Sequence, residues 1–249
     1  MWRRHSIVNK KMDGAASRGK LYAKMSRIIE IHAKKGGDPD LNPGLAQAIQ
    51  KAKQNGVTRD IIEKAIKKWS GQLSSAAYTE IYYEWYGPGW CALYIKTLTD
   101  NNNRTATNVR VCMQRYWWTF WEPGSVARQF TQKGIISISW TSRVELVKGN
   151  ETEFVDPYDQ DTLEMEAIEL WVEDVEFDEW FCTITTSKWD YFMIDGALSK
   201  LWYKIIQSDI ECICDNMMTI SDTDKAQLDI LIEHLEEDDD VEKVWTNVM

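Results

Sequence analysis

Arg3, Arg4, His5, Lys10, Lys11, Arg18, Lys20, Lys24 and Arg27 place eight cations and one histidine within 25 residues. Phosphate is the chemistry that suits such a set. A dense row of ammonium and guanidinium groups displaces counterions from a polyanion whatever its sequence. Lys34 and Lys35 extend the row. Arg104 is a further candidate, since it follows Asn101-Asn102-Asn103 at a predicted helix start, where free backbone amides favour anions. The asparagines also suit capping and turn chemistry at that point. Trp117, Trp118, Phe120 and Trp121 are too many large rings for one small sheet face. Exposed, they offer stacking surface for bases or a dock for a partner; buried, they are core.

Other chemistries find no such residues. The chain has no Gly-rich phosphate loop, no serine elbow and no Cys–His pairing, so catalysis, a cofactor and a small-molecule substrate are not expected. Glu236–Asp240 is a run of five acids without the spaced carbonyls and Gly turn of a calcium loop, and reads as a solvated helix end. His5, His32 and His234 stand in no ligand spacing, and Cys212 and Cys214, two apart, share one face of a strand, so no metal is expected. Five cysteines without a CxxC pair predict reduced thiols and a cytoplasmic protein. The basic Met1–Lys11 also suits a short targeting segment for an organellar matrix. No run of about 18 apolar residues exists, so no membrane partner is expected.

The whole chain, 249 residues with 29 Lys+Arg against 39 Asp+Glu, has a net charge of −10, which argues against nucleic acid. Located along the chain, the charge reverses that inference. Residues 1–70 hold 16 Lys+Arg and 6 Asp+Glu, a net of +10. Residues 71–249 hold 13 and 33, a net of −20. A basic binding module attached to an acidic body is the simplest reading.

The elements that must carry these residues follow from periodicity. Leu21, Met25, Ile28, Ile29 and His32 form one helical stripe, with Lys20, Lys24, Arg27 and Lys34 beside it. Gly36-Gly37 ends that helix. A second carries Leu45, Ala48, Ile49 and Ala52, and a third, capped by Thr58, carries Ile61, Ile62, Ala65, Ile66 and Trp69. After Gly71 the period falls to two. Strands are predicted at Thr79–Tyr86, Trp90–Thr97, Val126–Thr131 and Gly134–Trp140, with a helix through Ala106, Val109, Met113 and Tyr116. A second unit follows: helix Asp161–Leu170, strands Val172–Glu176 and Trp180–Thr185, and helix Asp190–Trp202. The chain closes on strand Asp209–Asp215, a helix capped by Ser221, and strand Val241–Val248. The predicted domains are 1–75, basic and helical; 76–132 plus 207–249, α+β; and 133–206, acidic α+β.

In order, these segments resemble the YebC family of bacterial and organellar proteins. The likeness rests on Arg18-Gly19-Lys20, Lys35-Gly36-Gly37-Asp38-Pro39-Asp40-Leu41-Asn42-Pro43, Asn55-Gly56-Val57-Thr58-Arg59-Asp60 and Glu63-Lys64-Ala65-Ile66-Lys67-Lys68. It continues through Tyr86-Gly87-Pro88-Gly89, Leu98–Thr105, Gly124-Ser125-Val126-Ala127, Lys133-Gly134, Glu173-Asp174-Val175 and Glu237–Val241. The chain departs from the family at its N-terminal tip, where only His5-Ser6 matches, and at Arg115–Trp121, which stands in place of a glycine-rich stretch. The resemblance implies an N-terminal three-helix domain and two ferredoxin-like α+β domains, one inserted in the other. It further implies a non-enzymatic, monomeric regulator that binds ribosomal RNA or the ribosome and assists translation. The alternatives are a transcriptional regulator on duplex DNA, and an acidic protein-interaction module or metal-dependent hydrolase.

Overall fold

The computed structural model describes residues 15–68, 78–116, 124–147, 150–154, 159–178, 181–201 and 203–249. Three helices come first: α1 (Ala15–Lys35), α2 (Pro43–Gln54) and α3 (Arg59–Lys67). Their stripes bury one another, with Met25, Ile29 and Ala33 against Leu45, Ala48, Ala52, Ile62 and Ala65. One side chain closes α1 and opens α2. The Asn42 amide nitrogen donates to the His32 and Gly36 carbonyls at 2.8 Å each, and its oxygen accepts from the Leu45 N–H at 3.1 Å. Gly44 is required here, because a Cβ would lie 2.5 Å from His32 Nδ1. Thr58 stands at the N-cap of α3 but makes no side-chain cap; its carbonyl alone takes the Ile61 and Ile62 amides.

The next elements are β1 (Thr79–Tyr86), β2 (Ala92–Thr99) and α4 (Asn102–Tyr116). β1 and β2 form an antiparallel hairpin from Thr79↔Thr99 to Tyr86↔Ala92. The second strand starts two residues later than its sequence predicts, because Pro88–Trp90 forms a 3-10 turn with Trp90 at φ 62°. The strand predicted at Val126–Thr131 does not form as such. The Glu84 carboxylate accepts from the Gly124, Val126 and Ala127 amides at 3.0, 2.9 and 2.7 Å, which takes the donors a ladder would need. Ala127–Gln129 is a 3-10 turn instead.

The inserted unit, Phe130–Ile213, holds β3 (Phe130–Val147), β4 (Asn150–Phe154), α5 (Gln160–Glu169), β5 (Asp174–Phe177), β6 (Phe181–Ser187), α6 (Tyr191–Lys200) and most of β7 (Tyr203–Cys214). β3 pairs with β6 from Lys133↔Ser187 to Ser139↔Phe181, β6 with β5, and β7 with β3. The order β7-β3-β6-β5, with α5 and α6 as crossovers, is the ferredoxin-like arrangement; β4 extends it along the distal half of β3. Ile136, Ile138, Cys182 and Ile184 bury one sheet face under Leu163 and Ala167 of α5 and Tyr191, Ile194 and Leu198 of α6. Gly134 lets β3 pass beneath α6, since a Cβ there would lie 2.4 Å from the Tyr191 ring. The strand predicted at Asp209–Asp215 is the end of the longer β7. Its pairing with β3 puts it in this sheet and not in the discontinuous one.

The chain then returns to the first sheet through α7 (Asp222–Glu236) and β8 (Val241–Thr246). Ser221 caps α7, its hydroxyl accepting from the Asp224 amide at 3.1 Å. β8 pairs antiparallel with β2, giving the order β1-β2-β8. Leu93, Ile95 and Val244 bury one face of that sheet under Val109 and Met113 of α4 and Leu228, Leu231, Ile232 and Leu235 of α7. The fold is therefore α+β, a helical domain followed by sheet domains with the second inserted in the first.

Candidate nucleic-acid interface

The cationic row lies on the side of α1 opposite its buried stripe. Lys20, Lys24, Arg27 and Lys34 recur at helical spacing and fall on one side, with Lys35 beside them. Arg18, Lys20, Lys34 and Lys35 are exposed, and so are Lys53, Arg59, Lys64 and Lys67 on α2 and α3. His32, Lys34 and Lys35 occupy the last turn of α1, where the helix dipole favours positive charge. Across 15–68 the helical domain carries 12 Lys+Arg against 5 Asp+Glu, a net of +7. One of those acids, Glu30, is buried and paired with Lys68 at 2.9 Å.

The middle of the row is turned inward. Lys24 is half-buried, and burial lowers its ammonium pKa while Glu242 and Glu236 partly restore it. Arg27 Nη1 donates to the Asp239 carbonyl and to Asp240 Oδ1, the latter at 3.2 Å. Asp240 is thus the correction to a solvated run of acids: its side chain is only 4% exposed. On Oδ2 it accepts from Arg104 Nη2 at 2.7 Å, Thr105 Oγ1 at 2.8 Å and Thr99 Oγ1 at 3.1 Å. Burial alone would raise the Asp240 pKa, but these hydrogen bonds and the Arg104 charge outweigh it and hold the carboxyl below its usual range. The backbone around it is tied too, with the Asp240 amide on Asp238 Oδ1 at 2.8 Å and its carbonyl taking the Leu98 amide at 2.7 Å.

Arg104 sits at the start of α4, as its sequence predicts, with Asn101 Oδ1 accepting from the Arg104 amide at 3.1 Å. Its guanidinium reaches Asp240 and, at 2.9 Å, Asp100; their hydrogen bonds raise its pKa. Lys20, Arg27, Asp100, Arg104, Asn108 and the 237–240 turn line one groove, in which the cations face acids of the same chain. Sequence spacing could not show that joint.

The remaining candidates fall elsewhere. Arg3, Arg4, His5, Lys10 and Lys11, and Trp117, Trp118, Phe120 and Trp121, lie outside the described residues. Cys212 and Cys214 lie on β7 and are both buried. Burial pushes the Cys91 thiol up to about 11 and Cys182 up to about 12, so neither is a thiolate near neutral pH. Among the described residues no cluster of His, Cys, Asp and Glu could hold a metal ion. No described helix is long and apolar enough to cross a membrane.

Comparison with known proteins bears on the whole chain. The family profile for the TACO1/YebC protein N-terminal domain matches residues 3–72, and that for the TACO1/YebC second and third domain matches 78–248. A "probable transcriptional regulatory protein" of Enterococcus faecalis is 38% identical over 243 residues, covering 97% of this chain and 95% of its own length. Another so named, from Halothermothrix orenii, is 36% identical over 244 residues, covering 97% and 91%. The crystal structure of a conserved hypothetical protein from Aquifex aeolicus superposes with a TM-score of 0.78 at 30% identity, covering 94% of this chain and 91% of the other. The two profiles together match residues 3–72 and 78–248, and both relatives align over 97% of the chain: the chain belongs to the TACO1/YebC family.

Proposed function

We propose that this chain is a non-enzymatic nucleic-acid-binding regulator that works on the ribosome, gripping RNA phosphate with its helical domain. It acts as a monomer in the cytoplasm or in an organellar matrix. The observation that carries this reading is the exposed cationic surface of α1–α3, set on a chain whose remaining domains are strongly acidic. Arg18, Lys20, Lys34 and Lys35 are the contacts; Arg27 and Arg104 hold the groove together through Asp240. A second reading, a transcriptional regulator on duplex DNA, is favoured by the name that the bacterial relatives carry.

One pair of measurements separates the two readings. Ribosome co-sedimentation and a duplex-DNA gel shift are run across the same salt series. On the translation reading the chain pellets with ribosomes at salt that abolishes the DNA shift; the reverse ranking supports the DNA reading. Neutralising Arg18, Lys20, Lys34 and Lys35 to Gln should lower the slope of log K against log salt by about 0.7–0.9 per lost contact. An unchanged slope removes the phosphate grip from this face.

A further inference from the structure

The inserted unit exposes large apolar side chains on the outer side of its helix layer. Met165 and Ile168 of α5, and Met193 of α6, are each 61% exposed. Trp171, just past α5, is 88% exposed, and Trp189, just before α6, is 86% exposed. They share the outer side of one helix layer of this unit. The buried residues of α5 and α6 pack on the same sheet face, so both outer sides look the same way. The Glu173 amide bonds the Thr185 carbonyl at 2.8 Å, which places the end of α5 and the start of α6 at the same end of the β5–β6 hairpin. The two tryptophans flank that end.

Trp171 is also held in an unusual backbone conformation, φ 61°, a region costly for a bulky residue. Neither burial nor a turn requirement explains a tryptophan there. Around these side chains acids predominate: Asp161, Glu164, Glu169, Asp174 and Asp190 are exposed, and Glu173 pairs with Lys133 at 3.0 Å. Residues 130–213 hold 6 Lys+Arg and 18 Asp+Glu, a net of −12. The Trp189 face already takes a cation, with Lys188 Nζ lying 5.7 Å from the ring centroid.

We infer that the outer side of the α5–α6 layer is a docking surface for a cationic amphipathic segment of another protein. Methionine and tryptophan supply adaptable apolar anchors, the acids complement lysine and arginine on the incoming segment, and the ring faces favour cations. A polyanion is disfavoured by the net −12, which is why protein and not nucleic acid is the occupant argued for.

The test uses the full chain and a fluorescein-labelled peptide of about 18 residues that alternates Leu and Lys at helical spacing. Controls are the matching Leu–Glu peptide and a labelled oligouridine, all read by anisotropy, with sedimentation velocity on the chain alone. The expected result is that the Leu–Lys peptide binds and the Leu–Glu peptide does not, while oligouridine, held by the helical domain, binds the parent and the variants alike. Trp189→Ser with Met193→Ser, and separately Glu164→Gln with Glu169→Gln, weaken Leu–Lys peptide binding by about tenfold or more. Circular dichroism melts of both variants should match the parent, since the altered side chains are exposed. Three results overturn the inference: peptide affinity unchanged in both variants, oligouridine binding lost in the Trp189/Met193 variant, or self-association lost in that variant.

Discussion

Asp240→Asn removes one charge from the joint and nothing of its shape. The amide oxygen can still accept from Thr99 and Thr105, so the variant isolates what the carboxylate does for the two arginines. Arg104 is half in water and keeps Asp100, and solvent absorbs much of its loss. Arg27, 18% exposed, loses its anionic partner in a shielded position. Hydrogen bonds to charged groups contribute about 1.5–3 kcal/mol each, so the expected destabilisation is about 2–3 kcal/mol. Asp240→Ala also removes the acceptor of the buried Thr99 hydroxyl, while Thr105 keeps the Asn101 carbonyl at 3.2 Å, and should cost about 3–5 kcal/mol. At about 2–4 °C per kcal/mol for a chain of this size, Asp240→Asn should melt about 4–12 °C below the parent.

The pH dependence provides a second handle on the same charge. The Asp240 pKa is lower folded than unfolded, so its contribution is complete above the unfolded value near 3.9 and is lost as pH falls through the folded one. Urea titrations at pH 7 and in steps below pH 4 should show the gap between parent and Asn variant closing in acid. A difference under about 0.5 kcal/mol at pH 7, or one that persists unchanged in acid, refutes the charge argument.

Two further outcomes follow from strain and burial. Trp171 carries its side chain at φ 61° with little buried surface to lose, and a left-handed residue costs about 1–2 kcal/mol where glycine costs about 0.5–1 through the unfolded chain. Trp171→Gly should therefore stabilise the chain by about 0.5–1 kcal/mol in urea unfolding, while a loss of stability would show that the ring is packed. Burial, with Lys35 and Lys96 nearby, lowers the His32 pKa against the opposing Glu242 and Glu80. Its neutral form is favoured in the fold, so stability is complete above about pH 6.5 and falls as pH drops through that value toward the folded pKa. His32→Gln should flatten the stability curve just below about pH 6.5; an unaltered slope there would assign the dependence to another group.

The elements with strong period were legible from the residues alone. The three helical stripes, the hairpin at Gly87 and the Ser221 cap each depend on neighbours in sequence, and apart from the later start of β2 each stands where those neighbours put it. What was not legible required partners far along the chain. Val126 reads as a strand residue until Glu84, 42 positions earlier, takes its amide. The strand before Asp215 reads as part of the returning domain until β3 claims it. At the candidate interface, composition located the cations but could not say which face water. Arg27 meets Asp240 across 213 positions, and no local pattern marks that pairing.

That pairing changes how the charge map acts. Read as sequence, the acidic body only keeps phosphate away from one end of the molecule. In the fold, the 236–242 segment also reaches into the basic row, and Lys24 and Arg27 answer to Glu242 and Asp240. The cations most exposed to water lie at the two ends of α1, Lys20 at one and Lys34 with Lys35 at the other. Fourteen residues of helix separate Lys20 from Lys34, about 21 Å at 1.5 Å per residue. That exceeds the roughly 12 Å of a B-form major groove, so on the phosphate-grip reading the two ends touch separate strands or turns of a folded nucleic acid. Exposed charges are screened within about 10 Å at 0.1 M salt, whereas the shielded Arg27–Asp240 pair is screened far less. Moderate salt should consequently release the nucleic acid while leaving the joint, and the fold around it, intact.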